Sequence, residues 1–242
     1  GGFLAEIGTR VPFFSAEVLA FVSAILAIIT LKEPKRRAPG HIKESRTGLK
    51  RMFNPLYFVA FIIIFISSFV LAAFDSIFSL FVDHKFGFTP KDIAIIITGG
   101  AIVGAVSQVV LFDRLTKMFG EIRLIRYCFI FSSIFVFLMT MVSSYFTILF
   151  VTVFVFVGFD LMRPAFTSYL SKVAGDEQGF VSGMNSMFTS FGNVFGPVIG
   201  GILFDIDLDF PFYFAALFMA VGIVLSFNWK QKINEELERD MN

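Results

Sequence analysis

Seven times along this chain of 242 residues the sequence runs apolar for about 20 residues, the length a helix needs to cross the roughly 30 Å hydrocarbon core of a bilayer. Backbone N–H and C=O groups find no water in lipid, so only helices or closed barrels can occupy such stretches, and no barrel-type alternation is present. The sequence therefore predicts an all-α, polytopic membrane helix bundle with spans at 12–31, 56–82, 93–112, 122–142, 145–174, 180–204 and 210–229. A composition 56% hydrophobic and 16% charged fits lipid as the main solvent and membrane lipids as constant partners. The 36 phenylalanines supply rings that can face lipid, pack between helices or line a greasy pocket.

Charge sorting orients the bundle. The segment 32–51 carries eight Lys and Arg against two Glu and is expected in the cytoplasm. Alternating sides from there also places Arg114, Lys117, Arg123, Arg126, Lys172, Lys230, Lys232 and Arg239 inside, while only Arg10, Lys85 and Lys91 fall outside. The formal net charge of +1 and this dispersal by loop leave no basic patch for nucleic acid. Cys128 is the only cysteine, so neither a disulfide framework nor a multi-cysteine metal site is expected, and nothing calls for a cofactor.

Three ionisable residues remain inside the spans: Asp75, Asp160 and Arg163. Each costs about 2.5–3.5 kcal/mol at the centre of an inserting helix, so a chain keeps them there for function or for a compensating partner. Desolvation penalises the ion of a carboxyl group, whereas a nearby organic cation favours it, so proton and cation can compete for one carboxylate. Asp160 and Arg163, three residues apart, share a helix face; the alternative to function is an ion pair that only helps the helix to pack. Pro164 beside them deprives a backbone carbonyl of its donor. Asp75 is expected about seven residues, roughly 10 Å, from the outer end of its helix, with Leu71, Phe78 and Ser79 on its face. Its alternative, like that of Glu17, is a charge snorkelling to the surface.

On the sixth span Asn185, Thr189, Gly192, Asn193 and Gly196 form one polar, small-residue stripe, which serves helix packing or, through Asn185, a substrate. Gly100, Gly104 and Gln108 pose the same choice on the third. Phe78, Phe156 and Phe188 can offer ring faces to a flat cation at about 0.5–2 kcal/mol each, or can simply pack.

The opening segment, 1–16, aligns without a gap on 200–215, with Gly1, Gly2, Leu4, Ile7, Pro12, Phe13 and Ala16 matching Gly200, Gly201, Leu203, Ile206, Pro211, Phe212 and Ala215. Taken as a duplication, this makes 1–31 the end of one six-helix unit, 32–54 a basic tether, 55–229 a complete second unit and 230–242 a cytoplasmic tail. Five upstream helices are then missing from the chain.

Two six-helix halves joined by a basic loop resemble the major facilitator superfamily of secondary transporters. Three motifs narrow the resemblance: Phe-Val-Gly-Phe-Asp-Leu-Met-Arg-Pro-Ala (156–165), Gly-Met-Asn-Ser-Met-Phe-Thr-Ser-Phe-Gly-Asn-Val-Phe-Gly-Pro-Val-Ile-Gly-Gly (183–201) and Ala-Ile-Ile-Ile-Thr-Gly-Gly-Ala-Ile-Val-Gly-Ala (94–105). They are similar to the C-terminal half of Gram-positive multidrug efflux pumps of the Bmr and NorA kind. Asp113-Arg114 to Gly120, with Arg123, resembles the second-half copy of the superfamily's cytoplasmic Asp-Arg loop, with its Gly-Arg-Lys cluster reduced. The resemblance implies that Asp160 and Arg163 serve substrate binding and proton coupling, and that Asp75 stands, one methylene shorter, where those pumps have an acidic residue.

The expected function is multidrug efflux by proton antiport: hydrophobic or cationic compounds exported through alternating access by a plasma-membrane protein completed by its missing N-terminal half. Proton coupling is assigned to Asp75, Asp160 and Arg163, and substrate contact to these with Phe78, Phe156, Asn185 and Phe188. The alternatives are another carrier of the superfamily, for a metabolite or sugar, and a membrane-embedded scaffold. An enzyme is not expected, since no His-Glu-x-x-His or Gly-x-Ser-x-Gly motif occurs and His41 and His84 fall in loops.

Overall fold

A computed structural model of the chain describes residues 10–30, 55–142 and 144–240. Within them are seven helices, each long and apolar enough to cross a membrane: α1 (Val11–Thr30), α2 (Pro55–Phe86), α3 (Pro90–Phe119), α4 (Glu121–Met141), α5 (Tyr145–Val173), α6 (Gln178–Ile206) and α7 (Phe210–Asp240). The duplicated segment at 1–9 and the basic tether at 32–54 lie outside the described residues. No residue of α1 is buried, and Glu17 on it is exposed.

Where the helix ends depart from the hydropathy windows by more than one residue, the helices run on. α2 continues past 82 to Phe86, where Gly87 at φ 66° turns the chain and donates its N–H to the Asp83 carbonyl. An L side chain is strained at that φ, which is why glycine stands there. α3 starts earlier because Thr89 and Asp92 cap each other reciprocally and Pro90 occupies the first turn. It also ends seven residues later than its window, at Phe119. The expected tail beyond 229 is helical through Asp240, since its Lys, Gln, Glu, Leu and Arg residues are good helix formers that need no lipid. Hydropathy measures the length in hydrocarbon, whereas the hydrogen-bonded helix extends beyond it.

Short connections reverse the chain between α2 and α7, so neighbours in sequence run antiparallel. The five most extensive pairings are α2 with α6, α3 with α5, α4 with α5, α2 with α7 and α4 with α7. Exchanging α2 with α5, α3 with α6 and α4 with α7 maps this set onto itself. Three helices and the next three, inserted in opposite senses, thus pack alike, as in inverted-repeat membrane proteins.

The α2–α6 contact is built on glycines. A Cβ at Gly192 would sit 2.6 Å from the Phe69 nitrogen, and one at Gly196 would meet the Phe69 carbonyl oxygen. Backbones can approach so closely only when one helix presents no side chain. Around this contact Phe61, Ile63, Ile66, Phe69 and Val70 of α2 are buried, which makes α2 the spine of the unit.

Polar groups fasten the two ends. At the end rich in Lys and Arg, Arg126 of α4 donates from Nε to Ser226 Oγ at 3.0 Å and from a terminal nitrogen to the Ser226 carbonyl at 2.6 Å, with its guanidinium 3.8 Å from the Phe227 ring centroid. Trp229 Nε1 donates to the Tyr169 hydroxyl at 3.1 Å, and Lys172 and Ser168 both donate to Glu121. At the opposite end Lys85 of α2 bonds Asp209 at 2.7 Å and the Thr140 carbonyl at 3.0 Å, tying together the ends of α2, α4 and α7.

Candidate functional site

One face of the six-helix unit exposes polar groups at mid-helix. Its central members are α5 and α2, with α3 packed beside α5 and α6 beside α2. Between α2, α5 and α6 opens a groove of about 370 Å³ whose polar walls are Ser67 and Ser68, Arg163, and Asn185, Thr189 and Asn193. Between α3 and α5 opens a cleft of about 560 Å³, lined by Gln108 on one side and Arg163, Pro164, Thr167, Ser168 and Ser171 on the other. Arg163 and Thr167 belong to both and form the ridge between them.

Arg163 is exposed, and among the described residues its guanidinium makes no ion pair or hydrogen bond. Its charge nevertheless acts on both Asp75 and Asp160, and the charge of Asp160 acts on Asp75. A close structural pair between Asp160 and Arg163 is therefore not the arrangement adopted; three charges share one field without locking together.

The two carboxylates sit differently. Asp160 is half-buried where α5 meets α3, and a Cβ on Gly104 would collide with its Oδ2. Gly104 is thus the notch that admits this carboxylate, and one turn away Gly100 admits the Phe156 ring in the same way, at 2.5 Å from its own missing Cβ. Both glycines serve close packing. Asp75 is exposed, on the same stripe of α2 as Ile64, Ser67, Ser68 and Leu71 of the groove. Because α2 runs on to Phe86, Asp75 lies 11 residues from the helix end, roughly 16 Å at 1.5 Å per residue, rather than the seven residues its hydropathy window gave.

Prolines add backbone acceptors. Pro164 has no N–H, so the carbonyl of Asp160 lacks its helical donor; Pro197 in α6 does the same to Asn193, which lines the groove. The small-residue stripe of α6 therefore divides: Gly192 and Gly196 pack on α2, while Asn185, Thr189 and Asn193 face the groove.

Of the expected aromatic residues, Phe156 is half-buried beside Gly100 and meets Phe74 edge-on at 6.0 Å. Phe188 is half-buried and stacks on Phe61 at 5.4 Å within the α2–α6 contact, off the groove wall. Phe78 is 1% exposed and stacks on Phe74 at 5.4 Å, so it belongs to the core and offers no free ring face. Sequence reasoning passed over Ser67, Ser68, Thr167, Ser168 and Ser171. Their signal was available on α5 as hydroxyls four, five and eight residues after Arg163, a polar stripe leading toward one end of the helix.

Comparison with known proteins places this arrangement. Residues 60–240 match the family model described as Major Facilitator Superfamily. The chain is 66% identical over 231 residues to Multidrug resistance protein 1 of Bacillus subtilis (strain 168), covering 95% of this chain and 59% of that protein. It is 50% identical over 242 residues to Multidrug resistance protein 2 of the same organism, with 97% and 60% covered. To the Quinolone resistance protein NorA of Staphylococcus aureus (strain MRSA252) it is 37% identical over 242 residues, covering 100% of this chain and 62% of that protein. The chain thus spans about three-fifths of the length of the curated relatives it matches.

Proposed function

The chain belongs to the major facilitator superfamily and is a multi-pass membrane protein, and from that premise we propose that it is the C-terminal part of a multidrug:proton antiporter. The observation that carries the reading is the meeting of Asp75, Asp160 and an unpaired Arg163 on one mid-helix face, in a chain two-thirds identical to a protein named for multidrug resistance. The basic end is cytoplasmic, in keeping with the Lys and Arg bias of short loops. A six-helix half supplied by the rest of the protein closes the groove, and the two halves rock about it to open on either side in turn.

In this scheme a hydrophobic cation enters the groove and is held by carboxylate charge, with Asn185, Thr189 and Asn193 adapting to polar substituents. Uptake of a proton cancels that charge and releases the cation; loss of the proton restores it. Each ligand thus weakens the other by the same coupling free energy. Phe156 stands near enough to Asp160 to contribute a ring, while Phe78 and Phe188 act through packing. The protein does no covalent chemistry.

The test joins this chain behind the N-terminal segment of B. subtilis Multidrug resistance protein 1 and measures dye efflux from vesicles under an imposed pH gradient. Asp75→Asn and Asp160→Asn should each lower gradient-driven efflux about a hundredfold, the scale of losing a positioned proton carrier. Undiminished efflux in both removes their assigned roles. A second reading, a carrier for a sugar or other polar metabolite, draws on the six hydroxyl and amide side chains of the groove. Competition of dye efflux by millimolar polar metabolites, with none by lipophilic cations, is the outcome that selects it.

A further inference from the structure

Two separate openings around one arginine raise the question of why a transport face needs both. Water, hydroxyls and carboxylates can pass protons, whereas a lipophilic organic cation gains from aliphatic and aromatic side chains against it. The groove between α2, α5 and α6 has such walls in Ile64, Leu71 and Phe166 beside its polar groups. The cleft between α3 and α5 has none of these: apart from Pro164 its lining is one amide, one guanidinium and three hydroxyls.

The cleft also has a direction. From Arg163 the hydroxyls of Thr167, Ser168 and Ser171 descend α5 over eight residues, roughly 12 Å, toward the end of the helix at Val173. Ser168 Oγ donates at 3.1 Å to Glu121, which also receives Lys172, so the polar run ends on a carboxylate with an exposed lysine beside it. At the upper end Pro164 lines the cleft, and the carbonyl left without its donor is that of Asp160. The Asp160 side chain itself lies in the Gly104 notch on the α3 side, one helical turn above Gln108. Asp75 stands on α2, one helical turn beyond Leu71, the last α2 residue of the groove. The charge that acts on Asp160 is Arg163 on its own helix, Asp160 in turn acts on Asp75 of α2, and α3 presents Asp160 the uncharged notch of Gly104.

We infer that the face divides its labour: the α3–α5 cleft is the water-filled route by which Asp160 gives up its proton to the cytoplasm, and the α2–α5–α6 groove with Asp75 holds the organic cation. This deepens the antiporter reading and rests on it. In the release step the O–H bond of the Asp160 carboxylic acid breaks and a cleft water takes the proton as hydronium. Asp160 remains as carboxylate in the field of Arg163, and the proton passes along the water file, past Ser168 and Glu121, to bulk. The cleft is broad and open to solvent, and its hydroxyls and amide offer water hydrogen-bond partners. Separate routes let a proton leave while the groove is occupied, which a single shared opening obstructs.

The test uses the completed transporter in oriented proteoliposomes with ethidium as substrate. Ser171→Leu narrows the lower cleft without touching the groove. It should lower pH-driven ethidium transport about tenfold, while ethidium affinity and ethidium–ethidium exchange stay within about twofold of wild type. Unchanged driven transport overturns the inference, as does a fall in exchange equal to the fall in driven transport by a folded variant. Thiol labelling decides where that variant loses its fold. Ser171→Cys and Gln108→Cys should react with a membrane-impermeant thiol reagent added on the cytoplasmic side, at the same rate with and without saturating ethidium. Asn185→Cys in the groove should be protected by ethidium. Native Cys128 is buried and can stay. Absence of labelling in the cleft, or protection there equal to that at Asn185→Cys, also overturns the division. A wild-type protein that moves no ethidium in a pH gradient sinks the antiporter reading itself, a different result.

Discussion

Arg126 and Arg163 are both arginines on membrane helices, and the protein uses them in opposite ways. Arg126 spends two donors on Ser226 and lies over the Phe227 ring, so its cost in lipid is met within the fold and it joins α4 to α7. Arg163 stands exposed between two openings with no such partner among the described residues. A charge whose hydrogen bonds are complete is part of the frame, whereas one whose donors are idle is available to substrate, water or moving carboxylates. The same contrast separates the ends of the bundle, where Lys85, Glu121 and Trp229 are all paired, from the central face, where Asp75 and Asp160 have only long-range electrostatic company.

The sharpest way to break this comparison is to exchange the two losses. In the completed transporter Arg163→Ala should lower driven transport about tenfold or more and leave thermal stability in detergent unchanged or higher. Arg126→Ala should leave substrate affinity alone but cost about 2–3 kcal/mol of stability, the worth of charged hydrogen bonds to a buried partner. If both variants lose stability alike, Arg163 is frame as well.

Much of this was legible beforehand, and the limits were physical. The seven spans follow from apolar length alone, and charges inside spans announce themselves by their cost. Helix ends were legible only as far as the lipid reaches, which is why α3 and α7 run past their windows and the end of α2 lies farther from Asp75 than expected. The hydroxyls of Ser67, Ser68 and Thr167 escaped notice because a serine or threonine in a membrane helix can satisfy itself on a preceding carbonyl, as Thr167 does on Arg163 at 3.2 Å. Only the neighbouring helices show that these positions border open space. The stripe on α6 was visible as a unit, but its division between packing glycines and groove-facing amides depends on where α2 crosses it. Phe78, Phe156 and Phe188 look alike in sequence and differ only in what lies opposite each ring.

A smaller effect sharpens the reading of the glycine contact. Gly196→Ala places a methyl against the Phe69 carbonyl oxygen and should destabilise the α2–α6 pair by about 1–3 kcal/mol. Gly201→Ala, which meets nothing within 4 Å, should be silent in the same thermal assay. The smallest effect concerns the acidic end. Lys85 and Asp209 are partly exposed at 23% and 28%, so Lys85→Ala should cost only about 1 kcal/mol. A larger loss there means that the end fastening of α2, α4 and α7 acts as a gate rather than a clamp.

The account as a whole asserts that protons and organic cations compete for the carboxylates around Arg163. Proton release on binding tests this directly: ethidium is added to the completed transporter in weakly buffered detergent solution, and the pH change is read with an indicator. The account predicts protons released in proportion to bound ethidium, and none from the Asp75→Asn, Asp160→Asn double variant. Ethidium binding to the wild type with no release of protons at any pH between 5 and 8, about the range in which a displaced proton is detectable, contradicts it.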